Sequence, residues 1–94
     1  MRETIEQKLR TRFTPDHLEI IDESHLHHGH AGWREGGETH FRVRIATHHF
    51  DRQSRLTQHR LVMDALGEEL KGGVHALTIE VLPVGGPYAR PARV

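Results

Sequence analysis

Hydrophobic residues recur along this chain in two rhythms. From Thr4 to Phe13 the spacing is four, with Ile5, Leu9 and Phe13 on one narrow stripe. That period predicts a helix. Pro15 disfavours helical geometry at Thr14 and ends it. From His17 to Ser24, "HLEIIDES", the period shortens to two, with Leu18 and Ile20 on one face of a first strand. A loop of about fifteen residues follows, rich in His and Gly, and a loop that long is functional or mobile. "THFRVRIA", Thr39 to Ala46, is the clearest strand, with Phe41, Val43 and Ile45 facing one way and His40, Arg42 and Arg44 the other. "THHFDRQS" connects it to a long helix over Ser54–Lys71. The apolar face of that helix is Leu56, His59, Val62, Met63, Leu66 and Leu70, and Gly72 and Gly73 supply its stop. A third strand runs from Val74 to Leu82. The tail, residues 84–94, is rich in Pro and Gly and is predicted to be disordered. The order is helix, strand, strand, helix, strand. An α+β domain over 1–83, with a three-stranded sheet carrying helices on one face and a right-handed final crossover, is the economical packing.

Composition narrows the function. Ninety-four residues make one small domain with a thin core. Thirteen basic and thirteen acidic residues cancel, which removes any general attraction to nucleic acid or anionic membrane. No cysteine is present, so a disulfide framework, a Cys-ligated zinc site, a self-sufficient all-thiolate iron–sulfur site and a thiol nucleophile are excluded. No apolar run has a membrane span's length. The start, "MRETIEQKL", lacks a signal peptide's apolar stretch, so the expected compartment is the cytoplasm.

Ten histidines are the anomaly. Four fall in "SHLHHGHAG", as His25, His27, His28 and His30. Neutral imidazole is a common metal ligand, and such a loop lets two rings converge on one ion. The bland alternative is a polar loop with no ligand, and local sequence alone favours it. His75 shares a strand face with Leu77, Ile79 and Val81, at the rim of the core on a rigid element. It suits a ligand as well as it suits a rim histidine bonded to a carbonyl. His59 lies on the long helix's stripe and reads as a core-edge residue. His40 reads as solvated or cross-strand paired, and His48 and His49 as solvent-facing. Arg42 and Arg44, with Arg52, Arg55 and Arg60, form at most a local basic patch. No GxSxG, phosphate loop or HExxH occurs, so the chain is not expected to be an enzyme. Ser24 beside Glu23 and His25 is not a triad, because neighbours on a strand point to opposite faces.

In order, "LEIIDES", "ETHFRVRI", "QHRLVMDALGEEL" and "VHALTIEVL" resemble the BolA-like family, from the first helix to about Pro83. The resemblance implies an αββααβ arrangement similar to a type II KH domain, with a short turn near Arg52–Leu56 counted as a separate helix. It implies a partner, a CGFS-type monothiol glutaredoxin, with which the chain shares a glutathione-dependent [2Fe–2S] cluster in iron–sulfur trafficking, assembly or iron sensing. It implies His75, of the "HAL" block, as one ligand. A loop His or Cys placed three residues after "ES" is the other, here His27, with His30 and His28 as alternates in this longer loop. The partner's cysteine and glutathione then supply two thiolates, and no cofactor is expected in the isolated chain, a monomer or weak homodimer. His59 and Arg60 are candidate partner or nucleic-acid contacts. The alternative implied is a KH-like DNA-binding transcriptional regulator, against which stand the neutral charge and the lack of a GxxG clamp between helices. A zinc or copper buffer built on the His-rich loop alone is a third reading.

Overall fold

The computed structural model describes residues 2–23, 40–72 and 76–88. In chain order they form α1 (Arg2–Phe13), β1 (His17–Asp22), β2 (His40–Ala46), a single 3₁₀ turn (His48–Phe50), α2 (Arg55–Ala65), α3 (Gly67–Lys71) and β3 (Ala76–Val81). The sheet order is β1-β2-β3. β1 and β2 are antiparallel, with Leu18 opposite Ile45 and Ile20 opposite Val43. β2 and β3 are parallel, with His40 opposite Ala76 and Ile45 opposite Val81. This is the expected three-stranded α+β layer. No helix among the described residues is long and apolar enough to cross a membrane.

The core lies between the sheet and the helices. Ile5, Leu9 and Phe13 of α1 meet Leu18, Ile20, Phe41, Val43 and Ile45 of the sheet, with Phe50, Val62 and Leu66 closing it. α1 ends at Thr14, which takes φ +43° while its N–H bonds to Arg10 O at 3.0 Å. Pro15 disfavours the right-handed helical region for Thr14, and the chain uses the left-handed one to turn into β1. Ser54 caps α2, its hydroxyl accepting from Thr57 N–H at 3.1 Å.

Two expectations need correction. The long helix does not run unbroken to Lys71: Leu66 adopts φ −109° and ψ 21°, and Gly67 opens α3. The two successive helices thus come from a break at Leu66, not from a turn near residues 52–56, while the real short turn lies earlier, at His48–Phe50. Glu69, on α3, is buried and paired to Lys8 of α1 at 2.8 Å, with Glu68 at 3.2 Å, which locks α3 onto α1. The two carboxylates hold the Lys8 ammonium above its ordinary range. The apolar stripe of α2 is also narrower than its sequence suggests. Val62 and Leu66 are buried, but Leu56 is 60% and Met63 47% exposed.

Residues 84–88, set aside as tail by composition, turn back onto β1. The Tyr88 ring stacks on His17, with centroids 4.3 Å apart. Its hydroxyl donates to Asp16 and accepts from Gly85 N–H at 2.7 Å. That contact lowers the Asp16 pKa and raises that of Tyr88.

Candidate functional site

The sheet face away from the helices is polar, and its charges are arranged in a row. Register puts Glu19, Arg44 and Glu80 side by side on the three strands. Arg44 is buried, and its guanidinium reaches Glu19 Oε2 at 2.6 Å and Glu80 Oε1 at 3.2 Å. His17 meets the same Glu19 oxygen at 2.8 Å. The His17 hydrogen bond, then Arg44, holds the Glu19 carboxyl below its ordinary value of 4.5. One step along β2, Arg42 pairs with Glu23 at 2.9 Å and with Glu80 at 3.6 Å.

Glu23 marks one end of the sheet. Its side chain is buried, and its N–H donates to His40 O at 2.8 Å, closing the mouth of the His-rich loop. The chain leaves the described sheet at Glu23 and re-enters it at His40. His40 stands opposite Ala76, the first residue of β3. Both stems of the loop and the start of β3 therefore share one end of the sheet, braced by the Arg42–Glu23 pair.

The candidate ligands His27, His28, His30 and His75 lie outside the described residues. In sequence the first three fall between Glu23 and His40, and His75 immediately precedes Ala76. Among the described residues no three His, Cys, Asp or Glu side chains gather as a metal site.

His59 is half-buried and lines a groove of about 280 Å³ between α2 and β3 with Arg55, Gln58, Ile79, Glu80 and Val81. Arg60, its neighbour, is exposed and outside that groove. Of the two readings of His40, the solvated one does not hold, since the residue is buried on β2, where its backbone carbonyl accepts from Glu23 N–H across the strands. His48 and His49 are exposed as expected, His48 Nδ1 lying 3.0 Å from Asp51 and His49 edge-on to Phe13. The supposed basic patch dissolves: Arg42 and Arg44 are neutralised on the open sheet face, while Arg55 and Arg60 belong to a helix on the other side. Sequence reading did not single out Glu19, Glu23 or Glu80. A period-two reading of β1 and β3 puts Glu19 and Glu80 on the arginine face, but only register shows that they meet.

Comparison with known proteins places this geometry. The model of the BolA-like protein family matches residues 9–84. A Sinorhizobium protein from the cobS 5′ region is 47% identical over 88 residues, 93% of this chain and 95% of that protein. The DNA-binding transcriptional regulator BolA of Escherichia coli K12 is 39% identical, covering 89% of this chain and 76% of that protein. SufE-like protein 1, chloroplastic/mitochondrial, of Arabidopsis thaliana is 44% identical over 80% of this chain, which spans only 21% of that longer protein. In three dimensions the BolA domain of SufE1 from Arabidopsis thaliana superposes with a TM-score of 0.78 at 40% identity, covering 87% of this chain and 90% of that one. Family model, relatives and fold agree over nearly the whole described chain, and the chain belongs to the BolA-like family.

Proposed function

We propose that the chain pairs with a CGFS-type monothiol glutaredoxin and holds half of a glutathione-dependent [2Fe–2S] cluster, in iron–sulfur trafficking, assembly or sensing. One observation carries the reading: the His-rich loop opens and closes at the sheet end where β3 begins, one residue after His75. The donor set suits such a group. Histidines occupy both segments that adjoin this end, and the chain has no cysteine, so any thiolates come from another molecule. Kinship with a BolA domain of a SufE protein supports the same role.

In this reading His75 and His27, with His30 and His28 as alternates, supply the two imidazoles to one iron. The cluster, when bound, contributes a one-electron centre whose histidine ligation raises its potential over an all-thiolate one. The chain's own part is positional. β3 begins one residue after His75, and the buried Glu23, held by Arg42 and by its bond to His40, lies where the chain leaves the sheet for the His-rich segment.

Co-expression with a monothiol glutaredoxin, followed by anaerobic purification with glutathione, tests this. The expected complex shows cluster bands in visible absorption and circular dichroism. His75→Ala abolishes or shifts them, and His27→Ala alters them. A spectrum unchanged by His75→Ala overturns the assignment.

The second reading is DNA binding, named for the Escherichia coli relative. Here Arg42 and Arg44 are already paired to carboxylates, which leaves them poor phosphate ligands. A gel-shift titration against salt separates the two readings, because phosphate contacts give a steep loss of affinity as salt rises.

A further inference from the structure

The open face of the sheet carries an unbroken row of charged contacts. Alternation puts His17, Glu19 and Glu23, Arg42 and Arg44 of β2, and Glu80 of β3 on that one face. His17 Nε2 lies 2.8 Å from Glu19 Oε2. Arg44 reaches the same oxygen at 2.6 Å and Glu80 at 3.2 Å. Arg42 reaches Glu80 at 3.6 Å, and its Nε donates to Glu23 at 2.9 Å. The row therefore joins the start of β1 to Glu23, where the chain leaves the sheet, about 20 Å away.

Signs alternate at every contact in the row. Glu19, Glu80 and Glu23 bring three negative charges, and Arg42 and Arg44 bring two positive ones. One negative charge is unmatched while His17 is neutral, and none is when His17 is an imidazolium. His17 is also the member of the row whose charge changes between about pH 5 and 8. Its ring is held in place. Tyr88 stacks on it, nearly parallel at 11°, and is itself fastened to Asp16 and to Gly85 N–H. The charged and titratable groups around it come from four elements. Asp16 and Glu19 flank it along the chain, Arg44 of β2 shares Glu19 with it, and Tyr88 covers its face. His48 of the 3₁₀ turn faces the same Asp16 and pairs with Asp51.

We propose that the charge on His17 sets how tightly Glu23 is held at the other end of the row. Glu19 Oε2 is shared by two donors. An imidazolium satisfies that oxygen more fully than a neutral ring, and Arg44 then gives more of its charge to Glu80. Glu80 draws less on Arg42, whose Nε stays on Glu23. Loss of the His17 proton reverses each step. Arg44 leans to Glu19, Glu80 takes Arg42, and Glu23 loosens. Arg44 is the two-state element that such coupling requires, since one guanidinium stands between carboxylates of both neighbouring strands. Glu23 is thus held most tightly below the titration of His17 and less tightly above it. The proposal rests on the row alone and stands with or without the glutaredoxin reading.

His40 is the competing imidazole, because it is buried and its carbonyl accepts from Glu23 N–H. Nuclear magnetic resonance of the full chain from about pH 5 to 8 separates the two. The His17 ring signals give its titration midpoint. Amide exchange of Glu23, corrected for the intrinsic rate, and the Arg42 Nε–H shift report the far end. Protection of the Glu23 amide is expected to fall about threefold as pH rises, the size of one partly exposed ion pair. Its midpoint is expected to match that of His17. H17Q keeps a donor for Glu19 but no titrating group, and is expected to abolish the step at both probes with unchanged far-ultraviolet circular dichroism. A step that persists in H17Q belongs to His40 or to the histidines between Glu23 and His40, and overturns the proposal. So does the absence of any step in the native chain, or a Glu23 midpoint that departs from that of His17. The midpoint comparison uses the native chain and holds however the variant folds.

Discussion

Arg44 is 4% exposed, between carboxylates on both neighbouring strands. Removing one member of such a buried group leaves its partners charged without compensation. Arg44→Ala is therefore expected to cost about 3 kcal/mol. For a domain of this size that lowers Tm by more than about 10 °C in a thermal melt. Glu19 adds a pH dependence. Its folded pKa is depressed below 4.5 by His17 and Arg44. The stability it contributes is thus complete above the unfolded value and is lost as pH falls through the folded one. Melts at decreasing pH below 4.5 are expected to show a falling Tm, and Glu19→Gln to flatten that slope. The polar face was partly legible in advance, since alternation along "THFRVRIA" sets Arg42 and Arg44 off the core. Their partners were not, because register depends on where a long loop returns, and no local pattern encodes that.

At the scale of elements, strands were legible and helix limits less so. Period two in β1, β2 and β3 corresponds to the observed pairing faces, with Leu18 against Ile45 and Val43 against Ile79. In α2 the spacing of Leu56, Val62, Met63 and Leu66 draws one broad stripe on paper. The sheet is only three strands wide and buries only part of that stripe, which leaves Leu56 and Met63 exposed. The break at Leu66 escaped notice because Gly67 costs a helix interior only about 1 kcal/mol and need not end it. Thr14 offers a test of element boundaries. A β-branched residue at φ +43° is strained, and glycine relieves that strain. Thr14→Gly is expected to raise stability by about 1 kcal/mol in urea titration, with no change in secondary structure.

For the whole molecule the decisive relation is long-range. The "ES" and "HAL" blocks pair His27 with His75 through resemblance alone, across nearly fifty residues of sequence. The parallel pairing of β2 and β3 sets the stem residue His40 opposite Ala76, so the sequence segments that carry the two blocks adjoin one end of the sheet. Tyr88 tests closure at this scale. Tyr88→Ala removes the stack on His17 and the bond to Asp16, and is expected to lower Tm and speed amide exchange at the start of β1.

That return of Tyr88 to β1 also settles where attachments can go. His17 lies at the end of the sheet opposite Glu23, His40 and Ala76, about 20 Å away over six strand residues. Arg2, by contrast, shares a concavity with Ile21 and Asp22, beside the loop end. A fluorophore or affinity tag joined behind Tyr88 starts from the far side and leaves the histidine-bearing end clear, while one joined ahead of Arg2 crowds it. Binding assays with immobilised protein should therefore tether the chain by its C-terminal side.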